Sequence, residues 1–286
     1  MKRFKNILIK VNKQTYNKQE KVKFHNTKIS SILILVPTYN EIENLPRMVE
    51  TLLSTYSDNY HILIIDDNSP DGTGQWATKC AEKEVRVQSI VRTGKKGRGI
   101  ASREGYFYFL ASDFDWLLEI DTDFSHNPLD IKRMVASSSD VDLVIGSRYI
   151  DGAGFGNYPM HRVLISTLTN AVFRLLLGLK TKDSTQSFML MSKKIFKVVS
   201  PEILKAEGFA IFLELKFHIQ RAGLPILEIP IKIKGRDYGQ TKMNFLQAFS
   251  VFKLFYDLKI KKNLRRKRNF QFTIHELFKT LVINFL

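Results

Sequence analysis

A chain of 286 residues, 44% of them apolar, is long enough for one large domain with appendages or two small domains, each with a real core. Its net charge of +16 is unevenly placed: residues 1–30 carry nine Lys and Arg against Glu20, residues 259–286 carry eight against Glu276, and the body between them is left near +1. The single Cys80 rules out an internal disulfide and fits a reducing compartment, and no run of about 18 uncharged apolar residues is present, so no membrane-spanning helix is expected. Basic tails on a neutral body ask for an anionic partner, nucleic acid or an anionic membrane surface.

Residues 1–30 are rich in Lys, Asn and Gln without periodicity and read as a basic, weakly ordered extension. Residues 32–36 (ILILV) form a continuous apolar run, the mark of a strand buried on both faces. PTYNE (37–41) is the turn that leaves it, and a helix with Leu45, Met48, Val49, Leu52 and Leu53 on one face follows. Residues 62–65 (ILII) repeat the pattern, ending in the turn formers DDNSPDGT (66–73) and a helix to about residue 84. A third strand is expected at 87–91, and GKKGRG (94–99) opens the next helix. That motif lacks the spacing and hydroxyl of a P-loop and is a weak phosphate signal. A strand then ends at LLEIDTDFSHNP (117–128), a helix covers about 130–137, and a fifth strand at 141–145 runs into GSRY (146–149).

Strand, polar turn and helix, repeated about five times, predict an α/β fold with a mainly parallel sheet flanked by helices. The second half is less regular. A helix is expected at 159–177, a polar loop (KTKDSTQSFML, 180–190) entering a short strand, a helix at 212–222, and one strand at 227–233 alternating Ile229, Ile231 and Ile233. A Gly-punctuated basic loop, GRDYGQTKM (235–243), follows. Seven of the ten residues 259–268 are basic, and Ile274, Leu277, Phe278, Leu281, Val282 and Phe285 then recur at helical spacing. An apolar stripe beside a basic cluster describes helices lying in a membrane interface, or a tail packed on the body or on a second chain. The expected division is 1–30 extension, 31–245 catalytic domain and 246–286 basic amphipathic tail.

In parallel sheets ligands bind beyond the carboxyl ends of the strands, so PTYNE, DDNSPDGT, DTDFSHNP and GSRY should converge on one site. Asp121 and Asp123, one residue apart at a strand tip, can both reach one divalent cation, although paired acids are often only a solvated strand end. His126 has no His partner at ligand spacing and reads as structural. Arg148, Arg162, Arg236 and Lys242 flank polar turns; each alone is a surface charge, but a site that handles phosphates needs several such cations. A carboxylate cluster at one rim argues against nucleic acid, whose phosphates it would repel.

PTYNE, DDNSPDGT, EIDTDFSHNP, VIGSRY, YPMHRVLIS (158–166) and GRDYGQTKM stand in an order and approximate spacing that resemble dolichol- or polyprenol-phosphate mannose synthases, family 2 glycosyltransferases of the GT-A (Rossmann-like) fold. The resemblance covers about residues 32–243. It implies that Pro37, Tyr39 and Glu41 hold the guanosine end of GDP-mannose, with Ile65 and Asp67 beside them. Asp121, Thr122 and Asp123 would line the donor. Asp123 would be the principal ligand of Mg²⁺ or Mn²⁺, Asp121 would assist and Ser125 would complete the shell. Arg236 and Lys242 match a loop that closes over the diphosphate, and Arg148, Arg162 and Ser166 match a clamp for the lipid phosphate. The implied partners are GDP-mannose, polyprenyl or dolichyl phosphate and an anionic membrane surface. The implied place is the cytosolic face of a membrane, peripherally bound, with room for small membrane subunits. Gln186 stands where the family usually has glycine. Use of another nucleotide sugar of the UDP-glucose type, or transfer to a glycan hydroxyl, are the alternative activities. In the second alternative Glu214 is the nearest candidate for a base, although a structural role is the favoured reading.

Overall fold

The computed structural model describes residues 31–156, 158–234, 253–256 and 258. The expected extension, the loop bearing Arg236 and Lys242, and nearly all of the amphipathic tail lie outside the described residues. The first half follows the strand–helix alternation: β1 (Ile32–Thr38), α1 (Leu45–Thr55), β2 (Tyr60–Asp66), α2 (Thr73–Lys83), β3 (Val87–Val91), α3 (Arg98–Ala111), β4 (Trp116–Glu119), α4 (Asp130–Ala136) and β5 (Leu143–Ser147). The second half holds β6 (Gly154–Phe155), α5 (Met160–Leu177), β7 (Met189–Ser192), α6 (Lys193–Val198), a 3₁₀ turn (Pro201–Ile203), α7 (Ala210–Arg221), β8 (Ile226–Pro230) and β9 (Lys232–Ile233).

The main sheet has the order β3-β2-β1-β4-β7-β5-β8. Every pairing in it is parallel except those of β7, which runs antiparallel to both β4 and β5. The chain moves outward from β1 through β2 to β3, then returns to place β4 on the other side of β1. That reversal opens a crevice at the carboxyl ends of β1 and β4.

Alternation along β1 explains why both faces are covered. Ile32, Ile34 and Val36 join Leu45, Met48 and Leu52 of α1 and Ile131 and Met134 of α4 in one core. Leu33 and Leu35 join Tyr106 and Phe109 of α3 and Phe212 and Leu215 of α7 in the other. Gly105 lets α3 lie against the sheet, because a Cβ there would stand 2.5 Å from the Leu35 side chain. All of β1 is buried, so truncating a residue such as Leu35 to Ala should cost about 2–5 kcal/mol.

One expectation is corrected here, and one element is added. The single strand expected at 227–233 is broken after Pro230, whose ring cannot donate to a ladder. β8 closes the edge of the main sheet, while β9 pairs with β6 in a separate two-stranded sheet. Ile229, Ile231 and Ile233 nevertheless all reach the same core. Helix α6, a two-turn element of polar and apolar mixture, gave no sequence signal long enough to read. Among the described residues no helix is long and apolar enough to cross a membrane.

Candidate active site

A cleft of about 370 Å³ opens at the β1–β4 reversal, lined by Pro37, Thr38, Tyr39, Glu41, Asp67, Lys96, Gly97, Arg98, Ala101, Asp121, Thr122, Asp123, Gly208 and Phe209. PTYNE, DDNSPDGT and DTDFSHNP therefore converge as expected. Hydrogen bonds lace the first two turns together. The Asn40 N–H donates to Ser69 Oγ at 2.9 Å, and the Glu41 N–H to Thr73 Oγ1 at 2.9 Å. The Asp66 carboxylate takes the Thr38 hydroxyl at 3.0 Å and the Ser69 hydroxyl at 2.6 Å. Among the described residues, the non-glycine residues with positive φ are Asn40, Asn68 and Phe124, one in each of these three turns. Strained backbone of this kind persists only where surrounding bonds over-determine it, and it gathers at ligand sites.

Asp121 and Asp123 stand in the turn just beyond β4. Asp121 Oδ1 accepts from Arg98 Nη2 at 2.9 Å and Oδ2 from the Ser187 hydroxyl at 3.1 Å. Burial alone would raise this carboxyl, but the Arg98 charge, His126 and the two hydrogen bonds hold it at about 2. Asp123 Oδ1 accepts the Ser125 N–H at 3.1 Å. The Thr122 hydroxyl between them is buried with no hydrogen-bond partner among the described residues. His126 stacks on Phe188 with ring centroids 5.0 Å apart. Burial lowers its pKa against the pull of Asp121 and Asp123, and its ring packs the turn against Phe188, in line with the structural reading.

No group of three or more His, Cys, Asp and Glu is placed to hold a metal among the described residues. Two hard carboxylates beside a buried, unpartnered hydroxyl instead fit a Mg²⁺- or Mn²⁺-type ion, which takes one or two carboxylates and completes its shell with phosphate oxygens and water. Ser125 is buried and its own N–H is spent on Asp123, while its carbonyl accepts the Lys234 N–H at 3.2 Å.

Not every expected residue faces the cleft. Ile65 is fully buried in the core, so its side chain does not touch the cleft. Asp67 does line it, but its carboxylate already pairs with Arg92 and takes the Gly97 N–H at 2.7 Å. Arg148 lies apart from that cleft, gripped by Asp183 through Nε–Oδ2 at 2.7 Å and Nη2–Oδ1 at 2.8 Å, with Thr185 Oγ1 at 2.7 Å. Ser166 meets the Tyr149 hydroxyl at 2.8 Å, and Arg162 is exposed on α5. The loop between α5 and β7 joins the two zones, because Asp183 holds Arg148 while Ser187 holds Asp121.

That loop rests on groups which sequence reading missed. Lys216 of α7 is fully buried and donates to the Ser184 carbonyl at 3.0 Å and the Gln186 carbonyl at 2.6 Å; burial lowers its pKa to about 7. Glu228 accepts the Lys182 and Asp183 N–H groups at 2.7 and 2.8 Å. Gln186 finds a role too: its Oε1 accepts the N–H groups of Ser187 and Phe188 at 2.9 and 3.1 Å, fixing the entry to β7. Glu214 has the structural role favoured for it, accepting the Lys205 and Ala206 N–H groups at 2.8 Å each.

The weak GKKGRG motif also proves central. Lys96 lies 4.5 Å over the Tyr39 ring, and Arg98 bridges Glu119 and Asp121. One signal could have exposed it. Glu119 closes a buried strand and Asp121 follows it by two residues, and an acid inside a buried strand demands a cation.

The sequence pattern of glycosyl transferase family 2 matches residues 33–200. The chain belongs to that family. This family 2 glycosyltransferase is 34% identical over 213 residues to the undecaprenyl-phosphate mannosyltransferase of Micrococcus luteus, covering 74% of this chain and 87% of that protein. It is 34% identical over 214 residues to the polyprenol monophosphomannose synthase of Mycolicibacterium smegmatis, covering 74% and 80%. The dolichol-phosphate mannosyltransferase of Pyrococcus furiosus is 30% identical over 231 residues, 79% of this chain and 63% of that one. Among solved structures, the glucosyl-3-phosphoglycerate synthase of Mycobacterium tuberculosis, in complex with Mn²⁺, UDP and glucosyl-3-phosphoglycerate, superposes with a TM-score of 0.58 at 17% identity. That match covers 82% of this chain and 86% of that one, and it places the chain in the GT-A fold.

Proposed function

We propose that this glycosyltransferase moves mannose from GDP-mannose to a polyprenyl (dolichyl-type) monophosphate, with inversion at the anomeric carbon. The names of the relatives support mannose and the polyprenyl phosphate acceptor. The structural observation that carries the acceptor is α5. Met160, Leu164, Ile165, Leu168 and Leu175 are each 60–81% exposed on it, an apolar face on the same helix that carries Arg162 and Ser166. Such a face suits a lipid tail or the membrane surface that delivers it. The enzyme then works peripherally, on the cytosolic side where nucleotide sugars are held.

Asp121, Thr122 and Asp123 receive the diphosphate end of the donor, with Tyr39 and Lys96 beside the nucleoside. A bound Mg²⁺ or Mn²⁺ would neutralise the charge that builds on the leaving diphosphate. Arg236 and Lys242, outside the described residues, would add further positive charge there. The acceptor phosphate is already anionic at pH 7, so it needs no general base. Glu214, spent on two backbone N–H groups, accordingly plays no part in the chemistry. What the chain supplies is approach: Arg148, Arg162 and Ser166 hold one anion while the Asp121–Asp123 turn holds the other, offsetting their mutual repulsion.

Incubation with GDP-[¹⁴C]mannose, Mg²⁺ and a polyprenyl phosphate, followed by solvent extraction, tests this. Label should enter the organic phase. No transfer to lipid from any common nucleotide sugar overturns the reading, and label in polysaccharide would favour a glycan acceptor.

A further inference from the structure

Arg98, the first residue of α3, brings a cation into the floor of the cleft that the reaction above does not use. Its side chain, 14% exposed, lies between two carboxylates. One is Glu119, fully buried: Oε1 takes Arg98 Nη1 at 2.5 Å and the Ser102 hydroxyl at 2.7 Å, and Oε2 takes the Tyr106 hydroxyl at 2.6 Å. The other is Asp121, at 2.9 Å from Nη2. The guanidinium also lies 5.1 Å over the Phe212 ring. A purely structural ion pair with Glu119 explains Nη1. It does not explain why the second arm reaches a strand-tip acid across the wall of the donor cleft.

We propose that Arg98 is a resident counter-cation of the metal site. It holds Asp121 in place before a divalent cation arrives and competes with that cation for the same carboxylate, so it sets how tightly the site takes metal. The proposal rests on the reading of Asp121 and Asp123 as the metal acids. Arg98 and Glu119 together sum to zero charge, so their effect is on access to Asp121 rather than on the net charge of the site. Metal affinity is then low in the empty enzyme and rises when diphosphate oxygens supply the missing ligands.

Titration with Mn²⁺ in the absence of nucleotide, followed by electron paramagnetic resonance of the free ion, measures this without turnover. The pair Arg98→Leu with Glu119→Gln leaves the net charge unchanged and releases Asp121, so Mn²⁺ should bind roughly tenfold more tightly than to the wild type. Glu119→Gln alone, nearly isosteric, gives Arg98 wholly to Asp121 and should weaken Mn²⁺ about threefold or more. A double variant that binds Mn²⁺ no more tightly than wild type overturns the proposal, as does unchanged or tighter binding in Glu119→Gln if the double variant does not fold. Adding Asp123→Ala should erase the gain. If the gain survives, the ion sits elsewhere and the metal-site reading falls with the proposal; if Asp123→Ala abolishes wild-type binding while the double variant shows no gain, the proposal falls alone.

Discussion

On the proposed donor side of the cleft, Tyr39, Asp121 and Asp123 follow the carboxyl ends of parallel strands that are buried apart from the half-buried Trp116, so the sheet itself aims them. On the proposed acceptor side, Arg148 follows the last residue of β5, but its guanidinium is turned onto Asp183, and the loop carrying Asp183 is pinned by the buried Lys216 of α7 and the half-buried Glu228 of β8. The contrast teaches that a strand tip positions a side chain at no extra energetic expense, whereas a loop must be tied down bond by bond. It also assigns different liabilities: the Asp121–Asp123 turn should lose chemistry on mutation, and the loop that carries Asp183 should lose structure.

The largest effect should come from Asp123→Ala. Loss of the acid proposed as the principal metal ligand should reduce mannosyl transfer roughly 10³-fold, read as initial rate of label extraction, with little change in the denaturation midpoint. A variant with normal turnover would erase the distinction between the two sides.

Asp183→Ala tests the other side. It strands the Arg148 guanidinium among buried groups, and breaking such a pair should destabilise the fold by about 3–5 kcal/mol in guanidinium unfolding. The same pair sets an acid limit. Burial raises the Asp183 carboxyl, but the Arg148 charge and hydrogen bonds more than reverse this and leave it below its ordinary 3.8. A depressed carboxyl contributes stability that is whole above 3.8 and is lost as pH falls through its folded value. The stability gap between wild type and Asp183→Asn should therefore be constant at neutral pH and shrink on acidification below about 4. A gap that widens instead would mean that Arg148 does not depend on Asp183.

The smallest effect is expected on α5. Leu164→Asp with Leu168→Asp replaces two exposed side chains, so the fold should keep its stability within about 0.5 kcal/mol. The KM for a long-chain polyprenyl phosphate should nevertheless rise roughly tenfold, with the KM for GDP-mannose unchanged. Equal effects on both substrates would show that the two walls are not separate.

Much of this division was legible in the sequence, for identifiable reasons. Buried parallel strands are continuous apolar runs, so ILILV and ILII announced β1 and β2, and the polar turns after them announced the rim. The convergence of PTYNE, DDNSPDGT and DTDFSHNP followed from the sheet type alone. GSRY did not join them in the cleft, because Arg148 chose a carboxylate 35 residues away. GKKGRG was underrated for a similar reason: its value depends on Glu119 and Asp121, 21 and 23 residues further on.

The sequence by itself thus determined the α/β alternation, the cleft and the acids at its edge, because hydrophobic period and turn chemistry are local properties of the chain. Only the tertiary structure decided which cation answers which acid: Arg92 to Asp67, Arg98 to Glu119 and Asp121, Arg148 to Asp183. A charge is legible one residue at a time, but its partner is chosen by burial, since a carboxylate taken out of water must find the cation the fold brings nearest, whatever the distance along the chain.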